Sequence, residues 1–207
     1  MYLNEKISVI IPTYNRANLI ERSVQSVLEQ IYDNLEVIVV DDGSVDNTME
    51  VVSAFRDNRI VYHKLPINQG VSNARNVGVS VATASLIAFQ DSDDRWRKDK
   101  LQKQMEYWQQ HPEFQMIYTA YLYHAEGGEA LKVPSTNVKG NLEGNIFADL
   151  LLRNTVGAPT MLMKKECFLK RGGFDTSLKS LEDWEFAVRF AKDYGIGFVE
   201  EPLVDAY

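Results

Sequence analysis

Short apolar runs alternate with segments of helical periodicity over the first 123 residues of the chain. The runs are rich in β-branched and aromatic residues and have the length of strands, which we predict at Ile7–Ile11, Leu35–Val40, Ile60–Tyr62, Leu86–Phe89 and Met116–Tyr123. Between them, apolar residues recur at helical spacing, as Ile20, Val24 and Val27 do. This order predicts an α/β fold with a doubly wound, mostly parallel sheet flanked by helices.

The pattern changes after residue 123. Residues 125–144 contain glycines and mixed charges without a clear period, which predicts a surface hairpin or a mobile loop, and long loops beside a ligand cleft are often lids. Beyond this segment we predict a short helix over Asn145–Arg153, a strand over Ala158–Met163 and a helix that begins at Leu181.

A further helix is predicted after Gly70, and its apolar stripe toward the core consists of Val71, Ala74, Val77 and Val81. Arg75 lies off this stripe and can therefore reach a ligand in a cleft. The alternative is that Arg75 belongs to an exposed polar face of the helix.

Composition and charge narrow the classes of function. The 207 residues are 45% hydrophobic and 25% charged, which is typical of one globular domain, and no apolar run is long enough to cross a bilayer. No secretory signal is visible, so the cytoplasm is the expected location. The net charge of −7 disfavours a nucleic acid partner, and the single Cys167, which excludes an intrachain disulfide, is expected to be a small buried residue.

Three carboxylates lie just after the predicted strand Leu86–Phe89, at Asp91, Asp93 and Asp94. Like charges this close repel one another, and a hard divalent cation such as Mg²⁺ or Mn²⁺ would stabilise them. The carboxyl end of a parallel strand is also where ligands usually bind. The alternative is a solvated acidic turn that caps the next helix.

Two other strand ends carry candidate ligand-binding residues. Tyr14 follows the first strand beside a predicted helix start, where its ring could stack on a base, although a packed tyrosine is the commoner use. Asp42 follows the second strand and could accept hydrogen bonds from a nucleobase or a ribose. Acids also open the helix after Leu181, where Glu182, Asp183 and Glu185 either offset the helix dipole or supply a general base.

Several nucleotide-binding motifs are absent from the sequence. No Gly-x-Gly-x-x-Gly follows the first strand and no Gly-Lys-Ser/Thr loop occurs, which argues against a nicotinamide enzyme and a P-loop hydrolase. A sugar nucleotidyltransferase should carry a glycine-rich, basic phosphate loop after its first strand, and Pro12–Arg16 is not one.

Five segments together resemble the inverting family-two nucleotide-sugar glycosyltransferases, which have the glycosyltransferase A fold, a Rossmann-like sheet for nucleotide-diphospho-sugar transfer. The segments are Val9-Ile-Ile-Pro-Thr-Tyr-Asn-Arg16, Val39-Val-Asp-Asp-Gly-Ser44, Gly70-Val-Ser-Asn-Ala-Arg-Asn-Val-Gly78, Phe89-Gln-Asp-Ser-Asp-Asp94 and Glu182-Asp-Trp184. The resemblance runs from Ile7 to the end of the chain. It implies metal-dependent transfer of a sugar from a nucleoside diphosphate, UDP by family expectation, to a hydroxyl of a saccharide or lipid-linked acceptor in polysaccharide or cell-envelope synthesis.

The resemblance also implies roles for individual residues. The base and ribose would be held by Thr13, Tyr14 and Asp42, with Arg75 near the base or the phosphates. Asp93 would be the main ligand of Mn²⁺ or Mg²⁺ in the Asp91-Ser92-Asp93 (DxD) motif, and Asp91 would lie near the ribose or the metal. Asp183 would be the catalytic base, with Glu182 beside it.

The same resemblance sets expectations for the organisation of the chain. Residues 1–207 would form one catalytic domain, with a nucleotide-sugar half over 1–123 and an acceptor half over 124–207, truncated at the C-terminus because a basic or histidine-containing segment that often follows is absent. A non-catalytic nucleotide-sugar binding module is the main alternative function. Peripheral association with the inner face of the membrane and the oligomeric state stay open.

Overall fold

The computed structural model describes residues 4–125, 127–135 and 137–207. Within these residues, nine strands form one sheet: β1 (Ile7–Thr13), β2 (Leu35–Asp41), β3 (Ile60–Lys64), β4 (Leu86–Phe89), β5 (Arg95–Trp96), β6 (Met116–Tyr123), β7 (Leu131–Val133), β8 (Leu162–Lys164) and β9 (Ile196–Ala206). The five strands predicted from apolar runs are all confirmed. β1, β2 and β3 extend slightly beyond their predicted ends.

Helices flank the sheet: α1 (Ile20–Leu28), α2 (Thr48–Ser53), α3 (Val71–Val81), α4 (Lys100–Gln110), α5 (Phe147–Leu152), α6 (Lys165–Lys170) and α7 (Glu182–Ala191), together with a 3₁₀ turn at Ala158–Thr160. None of the helices in the described part of the chain has the length and apolarity that crossing a bilayer requires.

The sheet has the strand order β3-β2-β1-β4-β8-β6-β9-β5. The ninth strand, β7, is outside this linear order and pairs with β6. β3, β2, β1 and β4 are mutually parallel, as are β6 and β9. Each antiparallel pair involves one of the short strands β5, β7 and β8. The predicted α/β class with a mostly parallel sheet is confirmed, and β7 shows that part of the 125–144 segment forms a hairpin with β6.

Alternation along the strands builds one core on each face of the sheet. Ile10 and Phe89 point to the face covered by α3, α6 and α7, whereas Val9 and Ala88 point to the face covered by α1 and α4. Cys167 packs in the first of these cores, as expected for a small buried residue.

The predicted stripe of α3 is wrong at both ends, because Val71 and Val81 are each 38% exposed. The buried face is instead Ser72, Ala74, Arg75, Gly78 and Val79. Helix α3 lies so close to the sheet that a Cβ atom at Gly78 would collide with Ile10. This close approach turns the side of Gly78 inward, and Arg75, about one turn earlier, turns inward with it.

The strand predicted over Ala158–Met163 is a 3₁₀ turn followed by β8, because Pro159 has no N–H to give to a ladder. β5 and β9 were not predicted from the sequence. β9 contains Glu200, Glu201 and Pro202, and its pairing with β6 shifts register near this point, so it lacks the alternation that marks a strand.

Candidate functional site

A cleft opens where three neighbouring parallel strands end. β2, β1 and β4 are adjacent, so the residues that follow them meet at one edge of the sheet. The cavity there has a volume of about 450 Å³ and is lined by Pro12, Thr13, Tyr14, Arg16, Asp42, Asn68, Gly70, Val71, Ala74, Arg75, Asp91, Ser92, Asp93, Lys179 and Glu182. The strand ends thus contribute one wall, and the starts of α3 and α7 contribute others.

Most of the candidate residues from the sequence lie in this cavity: Thr13, Tyr14, Asp42, Arg75, Asp91, Asp93 and Glu182. Asp183 does not line it but is the next residue of α7 after Glu182. Residues far apart in the chain therefore converge on one place, as the sequence predicts, while their individual roles stay predictions.

Asp42 is engaged by the loop that precedes α3. Its two carboxylate oxygens accept the backbone N–H groups of Gln69 at 2.9 Å and Gly70 at 2.8 Å. Gly43 permits this approach, because it has a φ of +80° and a Cβ atom there would lie 2.9 Å from the backbone of Ile67. Asp42 therefore shapes the cleft in addition to lining it.

The neighbouring Asp41 is a structural residue. It is fully buried, accepts the backbone N–H of Ser44 at 2.7 Å, and accepts the hydroxyl of Tyr62. Only one acid of the Asp41–Asp42 pair therefore faces the cleft.

Arg75 joins three elements of the site. Its side chain is 4% exposed and lies 2.6 Å from Asp91 Oδ1 at the end of β4 and 2.6 Å from Glu182 Oε1 at the start of α7. Burial opposes the positive charge of Arg75, but the two carboxylates outweigh it, so its pKa is raised. The two terminal nitrogens of Arg75 are therefore occupied by Asp91 and Glu182. Because the side chain is also buried, the alternative that Arg75 belongs to an exposed polar face is wrong.

We expect Arg75→Met to lower the free energy of unfolding by about 3 kcal/mol, because it leaves two carboxylates without their cation in a largely buried site. Arg59→Met is the matched control, since Arg59 also pairs with an acid, Asp57, at 2.8 Å, but in a more exposed position. Its loss should cost about 1 kcal/mol or less. Urea unfolding at pH 7 measures both, and equal losses would show that the Arg75 bridge does not hold α7 to the sheet.

The three acids after β4 have different surroundings. Asp91 pairs with Arg75, and Asp93 Oδ2 lies 3.6 Å from Arg16 Nη2. Asp94 is buried and accepts the backbone N–H of Tyr207 at 3.1 Å. Burial, followed by repulsion from Asp91 and Asp93, raises the pKa of Asp94 to about 8.

This acidic cluster fits a divalent cation that also takes oxygens from a ligand. Asp91 and Asp93 are partly exposed to the cleft, and their carboxylates lie close together in sequence after β4. The described residues contain no group of three or more His, Cys, Asp or Glu side chains arranged as a complete metal site. Carboxylates that supply only part of a coordination shell are typical for Mg²⁺ bound together with phosphates.

The alternative of an acidic helix cap is wrong for this cluster. α4 begins at Lys100, and the residue before it is Asp99. Asp91, Asp93 and Asp94 therefore lie several residues before that helix, separated from it by β5.

Asp183 lies in the first turn of α7. Its Oδ2 accepts the N–H of Ala158 at 3.2 Å, and its Oδ1 accepts the N–H of Trp184 at 2.7 Å. Burial raises the pKa of Asp183, while the Ala158 N–H and the charge of Arg75 act in the opposite direction. A carboxylate with a raised pKa holds a proton more readily, which suits a general base.

The turn before α7 is strained. Leu181 precedes the helix with a φ of 62°, in the left-handed region that a residue with a branched side chain seldom adopts. Such strain persists only where the surroundings enforce it and is frequent at functional sites. The two residues that follow Leu181 contact other elements: Glu182 accepts from Arg75, and Asp183 accepts from the N–H of Ala158.

Sequence reasoning missed two cations of the cleft. Lys179 lies in the irregular segment before α7, where no periodicity or motif marks it, and Arg16 entered only as the end of a motif. The sequence predicted Thr13 as a site residue but gave no sign that its hydroxyl lacks a partner. In the structure this hydroxyl is buried and has no hydrogen-bond partner among the described residues. A buried hydroxyl without a partner favours a ligand or water at this position.

Comparisons with known proteins identify sequences that are similar to this chain. The model of the family described as Glycosyl transferase family 2 matches residues 8–169. An uncharacterized glycosyltransferase of Rickettsia felis is 34% identical over 200 residues, which are 96% of this chain and 32% of that protein. The putative colanic acid biosynthesis glycosyl transferase WcaA of Escherichia coli is 32% identical over 203 residues, which are 93% of this chain and 68% of that protein.

Solved structures agree at the level of the fold. The crystal structure of S. aureus TarS 1–349 in complex with UDP-GlcNAc has a TM-score of 0.79 and 25% identity, and the match covers 97% of this chain and 58% of that one. The chain spans about a third of the length of the Rickettsia relative. The match to TarS covers nearly the whole of this chain, so the two proteins share the fold described above.

Proposed function

Because this chain belongs to glycosyltransferase family 2, we propose that it transfers a sugar, with inversion, from a nucleoside diphosphate to a hydroxyl of a saccharide or lipid-linked acceptor. The observation that carries the proposal is the convergence of Asp42, Asp93 and Arg75 in one cleft, with Asp183 held at its border. UDP is the proposed nucleotide, supported by the similarity to a protein solved with UDP-GlcNAc.

The nucleotide half, residues 1–123, offers distinct groups to a base and a ribose. Tyr14 presents an exposed ring beside the cleft, and the free hydroxyl of Thr13 lies in the same wall. Asp42 can accept further hydrogen bonds, because a carboxylate has about four acceptor sites and two are occupied. Arg75 keeps Asp91 in position next to these groups.

We expect Tyr14→Ala to weaken UDP binding about tenfold, since stacking of a base on an aromatic ring contributes roughly 1–3 kcal/mol. Tyr123→Ala is the matched control, because Tyr123 has the same 45% exposure as Tyr14 but does not line the cleft. Isothermal titration calorimetry with UDP measures the difference. If both variants bind UDP as the wild type does, the base lies elsewhere.

Asp93 and Asp91 would hold a divalent cation, Mn²⁺ or Mg²⁺, which neutralises charge on the leaving nucleoside diphosphate when it is bound. Basic side chains of the protein supply further positive charge at this site. Arg16 and Lys179 place positive charge at the same cavity, where it attracts a diphosphate.

Asp183 is the proposed general base. The acceptor hydroxyl gives its proton to the Asp183 carboxylate while its oxygen forms a bond to the anomeric carbon of the donor. The bond from that carbon to the diphosphate oxygen breaks in the same step, and the nucleoside diphosphate leaves with the electron pair. Attack from the face opposite the leaving group inverts the anomeric centre.

A thermal-shift screen tests the binding half of this proposal. We expect UDP with Mn²⁺ or Mg²⁺ to raise the melting temperature more than GDP or dTDP does, because ligands that bind only the folded state stabilise it. Transfer or hydrolysis of a labelled UDP-sugar then separates an enzyme from a non-catalytic binding module. Binding without any turnover would favour the module.

A further inference from the structure

Two buried side chains hold the 3₁₀ turn Ala158–Thr160 that contacts Asp183. The indole Nε1 of Trp96 donates to the Pro159 carbonyl at 3.0 Å. The amide Nε2 of Gln104 donates to the Thr160 carbonyl at 2.9 Å. Two successive carbonyls of the turn are therefore fixed from the side of β5 and α4.

The amide of Gln104 can adopt only one orientation. Its Nε2 group donates to the carbonyls of Ile117 and Thr160, each at 2.9 Å, and carbonyl oxygens can only accept. Its Oε1 therefore faces Lys100 Nζ and accepts a hydrogen bond from it at 2.8 Å. All hydrogen-bonding groups of this amide are engaged, so it cannot turn without losing several bonds.

Lys100 is an unusual support for this amide. Its side chain is 0% exposed, and burial lowers the pKa of its amine well below the ordinary value. Within the described residues its amine has Gln104 as hydrogen-bond partner and lies over the Trp96 ring, 3.8 Å from the centroid. A buried amine that has no carboxylate partner among the described residues is costly, and the structural effect of this one is to fix the Gln104 amide and pack on Trp96.

The surroundings of Asp183 show why the turn matters. Two charged residues act on the pKa of Asp183: Arg75 lowers it and Glu182 raises it. The charge of Asp183 also acts on Tyr121. Burial raises the pKa of the Tyr121 phenol, and the nearby Asp183 carboxylate raises it further. The N–H of Trp184 belongs to the helix of Asp183 itself. The N–H of Ala158 therefore provides the direct hydrogen bond from a separate element.

We propose that Trp96 and Gln104 are positioning residues for Asp183: by fixing the 3₁₀ turn, they aim the Ala158 N–H at the carboxylate and so orient it. This rests on the proposed role of Asp183 as base for its functional meaning. Neither Trp96 nor Gln104 lines the cleft, and both contact the turn through its carbonyls. The buried Lys100 keeps the Gln104 amide in register.

Trp96→Phe tests the proposal with a minimal change. It removes the Nε1–H that binds Pro159 and keeps an aromatic ring beside Lys100. Trp108→Phe is the matched control, because Trp108 is equally buried and also donates its Nε1–H to a carbonyl, that of Phe114, at 2.9 Å. Phe114 lies outside the turn that contacts Asp183.

The readout is the titration of the Asp183 carboxyl carbon by NMR in the 207-residue chain labelled with ¹³C-aspartate. The Asp183→Asn spectrum identifies the resonance by its absence. The Ala158 N–H favours the ionised carboxylate, so we expect the pKa of Asp183 to rise by about half a pH unit or more in Trp96→Phe and to stay unchanged in Trp108→Phe. An unchanged titration in a folded Trp96→Phe protein, or equal shifts in both variants, would overturn the proposal.

A second variant tests the Gln104 arm independently and serves if Trp96→Phe does not fold. In Lys100→Met/Gln104→Met both partners become apolar together, so no buried donor is left alone at this pair. We expect the same upward shift of the Asp183 pKa, and no shift would refute the role of Gln104. The titration does not depend on turnover, so it separates this inference from the base assignment, which Asp183→Asn tests by activity.

Discussion

Asp183→Asn is expected to lower turnover of a UDP-sugar by about 10²- to 10⁴-fold and to leave UDP binding nearly unchanged. The amide cannot accept the proton of the acceptor hydroxyl, but it keeps an oxygen for the N–H of Ala158 or Trp184. Asp183 does not line the nucleotide cavity, which is why binding should persist.

Glu185→Gln is the control for this change. Glu185 also lies in the first turn of α7 and pairs with Arg189 at 2.7 Å, away from the cavity lining. Its carboxylate should be dispensable for transfer, so we expect turnover near that of the wild type. Equal turnover in wild type and Asp183→Asn would refute the base.

The pH profile gives a second measure of the same assignment. Burial raises the pKa of Asp183, so the base is ionised only above that raised value and kcat/KM should fall as the pH drops through it. This acidic limb should be missing in Asp183→Asn. Because the folded pKa of Asp183 is raised, ionisation of this acid lowers the stability of the fold, and removing the charge favours the variant at pH 7. The backbone N–H that loses its carboxylate acceptor in the variant acts in the opposite direction.

Asp93→Ala is expected to remove the part of UDP binding that depends on a divalent cation. In the wild type, Mn²⁺ should tighten UDP binding, because Asp93 and Asp91 would hold the cation and its charge would attract the diphosphate. Without the Asp93 carboxylate we expect the affinity for UDP with Mn²⁺ to fall on the order of a hundredfold, to the level measured without the cation. Calorimetry with UDP, in the presence and absence of Mn²⁺, measures both affinities.

Asp99→Ala is a close match for Asp93→Ala. The side chain of Asp99 is 33% exposed and that of Asp93 is 32% exposed, and each pairs with a basic residue. Asp99 lies outside the cleft, so its loss should leave the Mn²⁺ effect intact. A wild-type Mn²⁺ effect in Asp93→Ala would place the cation on other residues.

The parallel half of the sheet could be predicted because its strands are marked by their own composition. β1, β2 and β4 are buried on both faces, so they are mainly apolar runs, interrupted by Ser8 in β1 and Glu36 in β2, and they end where the cleft begins. The buried face of α3 could not be predicted in the same way. A valine stripe is a fair guide to a core face, but the contact of Gly78 with Ile10 decides which side of this helix approaches the sheet.

The sequence by itself determined which chemistry is present and at which strand ends it lies. Asp42, Asp91 and Asp93 lie just after apolar runs, and that order is a property of neighbours in the chain. Only the tertiary structure decided how the groups are paired. The bridge from Arg75 to Glu182 joins residues 107 positions apart, and the bond from Ala158 to Asp183 links a turn to a distant helix. Such contacts depend on how helices pack on the sheet, which no local pattern encodes.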